Sequence, residues 1–121
     1  MRPMSPEERE CIKSRLLDTN DNTAFLKYEM KWHTSHDFNH PAARKDSIET
    51  INAYVLEGHS PGNFIDAILS NDLSGAFKHA DDDNIKRVFC LVSYCYNYLP
   101  MDAWGSFDKV NVWLKRFKEQ Q

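Results

Sequence analysis

The segment Trp32-His33-Thr34-Ser35-His36-Asp37-Phe38-Asn39-His40 gathers three histidines at helical spacing. On a helix, His33, His36 and His40 fall at i, i+3 and i+7 and share one face. Three imidazoles with an open fourth position suit a zinc ion, and Asp37 is placed to support one ligand. Two features oppose this reading. Pro41 biases His40 away from helical backbone, and the pattern lacks the glutamate of a zinc-protease helix. The competing reading is a polar turn whose histidines are partly solvated.

Other chemistry-bearing groups form no assembled site. The His36-Asp37 pair is similar to the histidine–aspartate doublet of metal phosphohydrolases, but the widely spaced further ligands of those larger helical domains cannot be put together here. The acidic run Asp81-Asp82-Asp83 offers oxygen ligands without the spacing or distal glutamate of a calcium loop. It reads better as a solvated turn that caps the next helix. Cys90 and Cys95 lie in the most apolar stretch, where cysteine is a small core residue rather than a nucleophile. They are five positions apart, about 140° around a helix, and with Cys11 make an odd count that is no disulfide framework. All three read as reduced thiols. The four glycines are scattered singly, so no phosphate-cradling loop exists, and no serine sits in a nucleophile elbow. Catalysis is therefore not expected, and no cofactor is expected.

The aromatic residues point to binding. Tyr94, Tyr96 and Tyr98 alternate along a stretch that reads as helix. A helix turns about 200° per two residues, so one core cannot bury all three. At least one must face solvent or a partner, and Trp104 follows on a nearby turn. These four are the candidate partner-binding residues, since aromatic rings with a polar tip favour interfaces. A crowded core with outward hydroxyls is the alternative. A second strip combines Lys109, Lys115, Arg116 and Lys118 with Trp113, and would serve a weak nucleic-acid or nucleotide binder. The same cations also complement the C-terminal end of a helix dipole.

The elements that must position these residues read as helices throughout. Ser5-Pro6-Glu7-Glu8 is a helix start, with Ser5 as cap, Pro6 in the first turn and Glu8 completing a capping box. Cys11, Ile12, Leu16 and Leu17 follow as its apolar stripe. A second helix is expected from Asn22 or Thr23, carrying Phe25, Leu26 and Met30. A third runs from about Pro41 to Leu56 with Ile48, Ile51, Tyr54 and Val55 inward and Gly58 as its stop. Ser60-Pro61 is expected to open a fourth that buries Phe64, Ile65, Ile68 and Leu69. Asp72 caps a short helix through Ala80 that buries Leu73, Ala76 and Phe77. Ile85 to Leu99 has little polar face and is expected to be the central helix. Pro100 and Gly105 bracket a turn, and Ser106 caps a last helix with Phe107, Val110, Trp113, Leu114 and Phe117 on its apolar side. No strand-like alternation or repeat occurs. The expectation is an all-α fold, a single compact domain of about six or seven short helices. Residues 1–45 form an N-terminal helical extension and residues 46–121 the helical core, packed as one unit.

Bulk properties agree. A chain of 121 residues has room for one modest core, and 41% hydrophobic with 27% charged residues is a globular balance. Aromatics at 12% are plentiful for a small helical protein, which is why some rings are expected at a surface. A net charge of −3 and a pI of about 5.9 argue against a general phosphate-backbone binder. No apolar run approaches the roughly 20 residues that cross a bilayer, and the opening residues are not those of a signal peptide. A cytoplasmic location follows as the expectation, in a host cytoplasm if the gene is viral, with no membrane partner.

Residues 47 to about 114 carry a series of words: Ile51-Asn52-Ala53-Tyr54-Val55, Gly58, Pro61-Gly62-Asn63-Phe64, Ala67-Ile68-Leu69-Ser70-Asn71-Asp72-Leu73, Ala80-Asp81, Asn84, Tyr94-Cys95-Tyr96-Asn97, Pro100, Trp104-Gly105-Ser106 and Trp113. In this order they resemble a family of small uncharacterised proteins encoded in bacteriophages and prophages. The likeness covers a little over half of the chain and leaves out its first 45 residues. It implies a helical fold and a mobile-element origin, and no catalytic residues. Small phage proteins often bind and redirect host proteins. The expected function is thus a phage- or prophage-encoded protein-binding module that inhibits or modulates a host complex, including a defence complex. A small metal-binding protein using the histidine cluster is the first alternative.

Overall fold

The computed structural model describes residues 2–16, 45–80 and 87–118, apart from the side chain of Phe89. They form six α-helices and one short 3-10 turn, with no strand among the described residues. We number the helices α1 (Pro6–Arg15), α2 (Lys45–Glu57), α3 (Asn63–Leu69), α4 (Leu73–His79), α5 (Val88–Tyr98) and α6 (Phe107–Lys118). The 3-10 turn, Met101–Ala103, joins α5 to α6. The fold is all-α, as the periodicity predicts. The expected second helix, the histidine cluster His33, His36 and His40, and the acidic run Asp81–Asp83 all lie outside the described residues.

Caps fix most of the boundaries. The Ser5 hydroxyl accepts from the Glu8 N–H at 3.1 Å, which satisfies one orphan donor of the first turn of α1. The Glu8 carboxylate does not close the expected capping box; it is engaged by Arg116 on α6. Asp72 caps α4 by accepting from the Gly75 N–H at 3.0 Å, and Ser106 caps α6 through the Lys109 N–H at 3.1 Å. Gly58 ends α2 in the left-handed region with φ 70°, its N–H returning to the Tyr54 carbonyl at 3.1 Å. One start is displaced. The helix expected at Ser60-Pro61 begins at Asn63, because Gly62 takes φ 84° and supplies the cap position without a side chain.

Two helices share the deepest positions. Ile48, Ile51, Tyr54 and Val55 of α2 are fully buried, and so are Cys90, Leu91, Tyr94 and Cys95 of α5. Each large apolar side chain contributes about 1.5–3 kcal/mol on leaving water, so these two faces make up much of the core. α3 and α4 pack most closely on each other across a bend at Ser70–Asp72, where Asn71 takes φ 59°. Polar pins cross the core. The Tyr54 hydroxyl donates to the Ala103 carbonyl at 2.6 Å, and the Trp113 indole N–H to the Val55 carbonyl at 3.1 Å. The Gly105 N–H reaches the Leu69 carbonyl at 2.7 Å. These bonds tie the turn and α6 to α2 and α3, so the segment around Trp104 is set by the core rather than by its own sequence.

Four apolar positions expected inside lie outside. Cys11 is exposed because α1 buries only Ile12 and leans on the core along a narrow line. Leu73 and Phe77 flank Ala76 on a helix of seven residues, and only the small Ala76 faces inward. Leu73 is 62% and Phe77 45% exposed. Phe107 stands at the first position of α6, ahead of the face that packs, and is also exposed.

Candidate partner-binding face

α5 sorts its three tyrosines by the helix turn alone. Tyr94 faces the core, fully buried, and its hydroxyl donates to Asn52 Oδ1 on α2 at 2.6 Å. Tyr94, expected at a partner-binding face, thus lies inside the fold instead, because its helix position turns it onto α2. Tyr98, one turn on, is half-buried and stacks on Tyr94 with centroids 5.1 Å apart and an interplanar angle of 29°. Tyr96 points away from both, 79% exposed.

Tyr96 is not alone at the surface. Its ring meets that of Trp104 edge to face, centroids 6.4 Å apart at 77°. This is the geometry aromatic quadrupoles prefer, worth about 0.5–1.5 kcal/mol beyond area. The position of Trp104 is imposed from both sides. Its predecessor Ala103 receives the Tyr54 hydroxyl, and its successor Gly105 donates to Leu69. Gly105 takes φ 117°, which disfavours any side chain there. Half-buried Trp104 is thus held as a floor for Tyr96, with exposed Met101 three residues before it. Val88, Val92 and Tyr96 recur every four residues along α5. Val88 and Val92 line a shallow apolar depression with Ile68, Leu73 and Ala76 of α3 and α4. The exposed Leu73 borders this depression. Periodicity placed Leu73 and Phe77 inside; the shortness of the helix between Asp72 and Ala80 was the available signal that it could turn only one small residue inward.

The basic strip does not assemble. Trp113 is buried in the core and Arg116 is 4% exposed, its guanidinium 4.6 Å over the Trp113 ring. The Lys109 ammonium donates to the Met101 carbonyl at 3.1 Å. Lys115 and Lys118 stay exposed at the end of α6, where they complement the dipole.

Burial shifts several titratable groups of the core. Burial pushes the Cys95 thiol up to about 12, so it stays protonated at neutral pH. Burial also raises the Tyr54 phenol, with the nearby Asp66 carboxylate adding to the effect. Asp66 itself is raised by partial desolvation. Among the described residues, no group of three or more His, Cys, Asp and Glu side chains is placed to hold a metal ion. No helix among them is long and apolar enough to cross a membrane. A second, more polar depression lies between the start of α2 and the loop before α3, lined by Asp46, Thr50, Pro61 and Asn63.

No family model, no curated protein and no solved structure matches this chain.

Proposed function

We propose that this chain is a protein-binding module, encoded by a bacteriophage or prophage, which inhibits or modulates a host protein complex by docking through Tyr96 and Trp104. The observation that carries the reading is the exposed Tyr96 ring set against a Trp104 whose backbone is pinned on both sides. An aromatic pair that is already ordered loses little entropy on docking, which is the property of an interface anchor. The bordering Leu73 and the depression lined by Val88 and Val92 extend the apolar face beyond one residue. Of the three cysteines, Cys90 and Cys95 are buried, and burial keeps the Cys95 thiol protonated at neutral pH.

The test is an affinity capture from native bacterial lysate with the wild-type chain beside a Tyr96→Ala/Trp104→Ala control shown to be folded by circular dichroism. Recovery of one complex by wild type and its loss with the folded control is the expected result. Equal recovery by both proteins would overturn the assignment of the patch. Metal binding by His33, His36 and His40 is the alternative reading, supported by their sequence spacing. Metal analysis of chain purified without a tag or chelator tests it, and less than stoichiometric zinc, nickel or iron ends it.

A further inference from the structure

Arg116 takes part in a second arrangement that shares no residue with the aromatic patch. Its Nε donates to the Arg2 carbonyl at 2.8 Å and its Nη2 to the Glu8 carboxylate at 2.5 Å. Its Nη1 is buried with no hydrogen-bond partner. On the same N-terminal segment, Arg9 pairs with Glu57 at the end of α2. Apolar attachment is thin: Met4 and Ile12 are buried, Leu16 is half-buried, and no other residue of α1 is buried. α1 is therefore tied to α6 through Glu8 and to the end of α2 through Arg9, and polar contacts carry much of its attachment.

The physics of this attachment is a near balance. Burying a guanidinium and part of a carboxylate costs desolvation energy that their attraction offsets only when every donor is satisfied. Here one donor is not. Opening would return Nη1, Nη2 and Nε to water, while α2, α3 and α5 would keep their own buried faces. We infer that residues 2–16 form a strap latched electrostatically by Arg116–Glu8 and Arg9–Glu57, which opens as a unit while the helical core stays folded. Opening uncovers the Arg116 guanidinium on the Trp113 ring.

Hydrogen exchange of the full chain, read by mass spectrometry at about 50 mM and about 500 mM salt, tests this, because ion pairs with exposed members are screened over that range. The amides of residues 10–15 should exchange faster than those of α5 at low salt. They should speed up about three- to five-fold at high salt, with α5 unchanged. Arg116→Met removes the charge while keeping an apolar stem on Trp113, and should reduce the salt response to the part carried by Arg9–Glu57. The inference is overturned if α1 and α5 exchange at the same rate at both salts. It is equally overturned if α1 exchange ignores salt, or if a folded Arg116→Met chain keeps the wild-type response. Should that variant not fold, the wild-type comparison decides alone.

Discussion

Tyr96 stands edge-on to Trp104 at the surface, while Tyr94, two residues earlier on the same helix, is fully buried with its hydroxyl on Asn52. One helix thus carries a structural tyrosine and a surface tyrosine within a single turn. Their substitutions should separate cleanly. Tyr96→Ala should cost about 0.5–1.5 kcal/mol, the worth of its edge contact with Trp104. Tyr94→Ala should cost about 3–5 kcal/mol through the cavity it leaves. Urea denaturation of both variants checks this, and a similar cost at the two positions would contradict the sorting.

Gly58 is required twice over. Its φ of 70° suits only glycine, asparagine and few others, and a Cβ there would lie 2.5 Å from the Phe117 ring. Gly58→Ala should therefore cost about 2 kcal/mol or more, combining backbone strain with repacking. Gly58→Asn tolerates the backbone but not the ring contact, and should remain clearly destabilised. An asparagine variant with wild-type thermal stability would show that Phe117 moves aside freely.

Gly75 offers a sharper test, because two effects of similar size oppose each other. Replacing a helical glycine by alanine gains about 1 kcal/mol in propensity. A Cβ at position 75, however, collides with the Asp72 carboxylate that caps this helix. Loss of such a cap costs about 1 kcal/mol. Gly75→Ala should thus be nearly neutral in the wild type and stabilising by about 1 kcal/mol in an Asp72→Ala background. A double-mutant cycle in urea measures the coupling, and additive effects would refute the clash.

Alkaline pH should weaken the fold. The Cys95 thiol is raised from 9.0 to about 12 by burial, and Tyr54 is raised from its ordinary 10.0 by the same cause. Between pH 9 and about 12 the folded chain therefore holds protons that the unfolded chain has released. Stability should be independent of Cys95 below pH 9 and fall as pH rises through this window. Urea midpoints at about pH 8 and about pH 10.5 read the loss, and Cys95→Ala should flatten part of the slope. An unchanged midpoint in wild type would mean that these groups ionise without unfolding.

Several elements were legible because they rest on local rules. The Ser5, Asp72 and Ser106 caps stand where short polar side chains precede apolar periodicity. Gly58 ends α2, and the 3.6-residue period of Ile48, Ile51, Tyr54 and Val55 names a face that is wholly buried. The helix turn also requires that the three tyrosines of α5 diverge. Less of the surface was legible, since Leu73, Phe77 and Phe107 carry the same apolar signal as residues that pack.

Local sequence rules already specify the all-helical class, the stops and starts of most helices, and that one of Tyr94, Tyr96 and Tyr98 must face outward. Those are consequences of backbone geometry and nearest-neighbour side chains, which act within a turn or two. Which tyrosine that is, its meeting with Trp104, and the departure of Arg116 from the basic strip to hold Glu8 and the Arg2 carbonyl follow from long-range packing. Each of these depends on contacts between residues far apart in the chain, such as Tyr54 with Ala103 or Arg116 with Glu8. Periodicity says that a side chain lies on a given face, but the neighbour that covers or vacates that face is chosen by the packing of other helices.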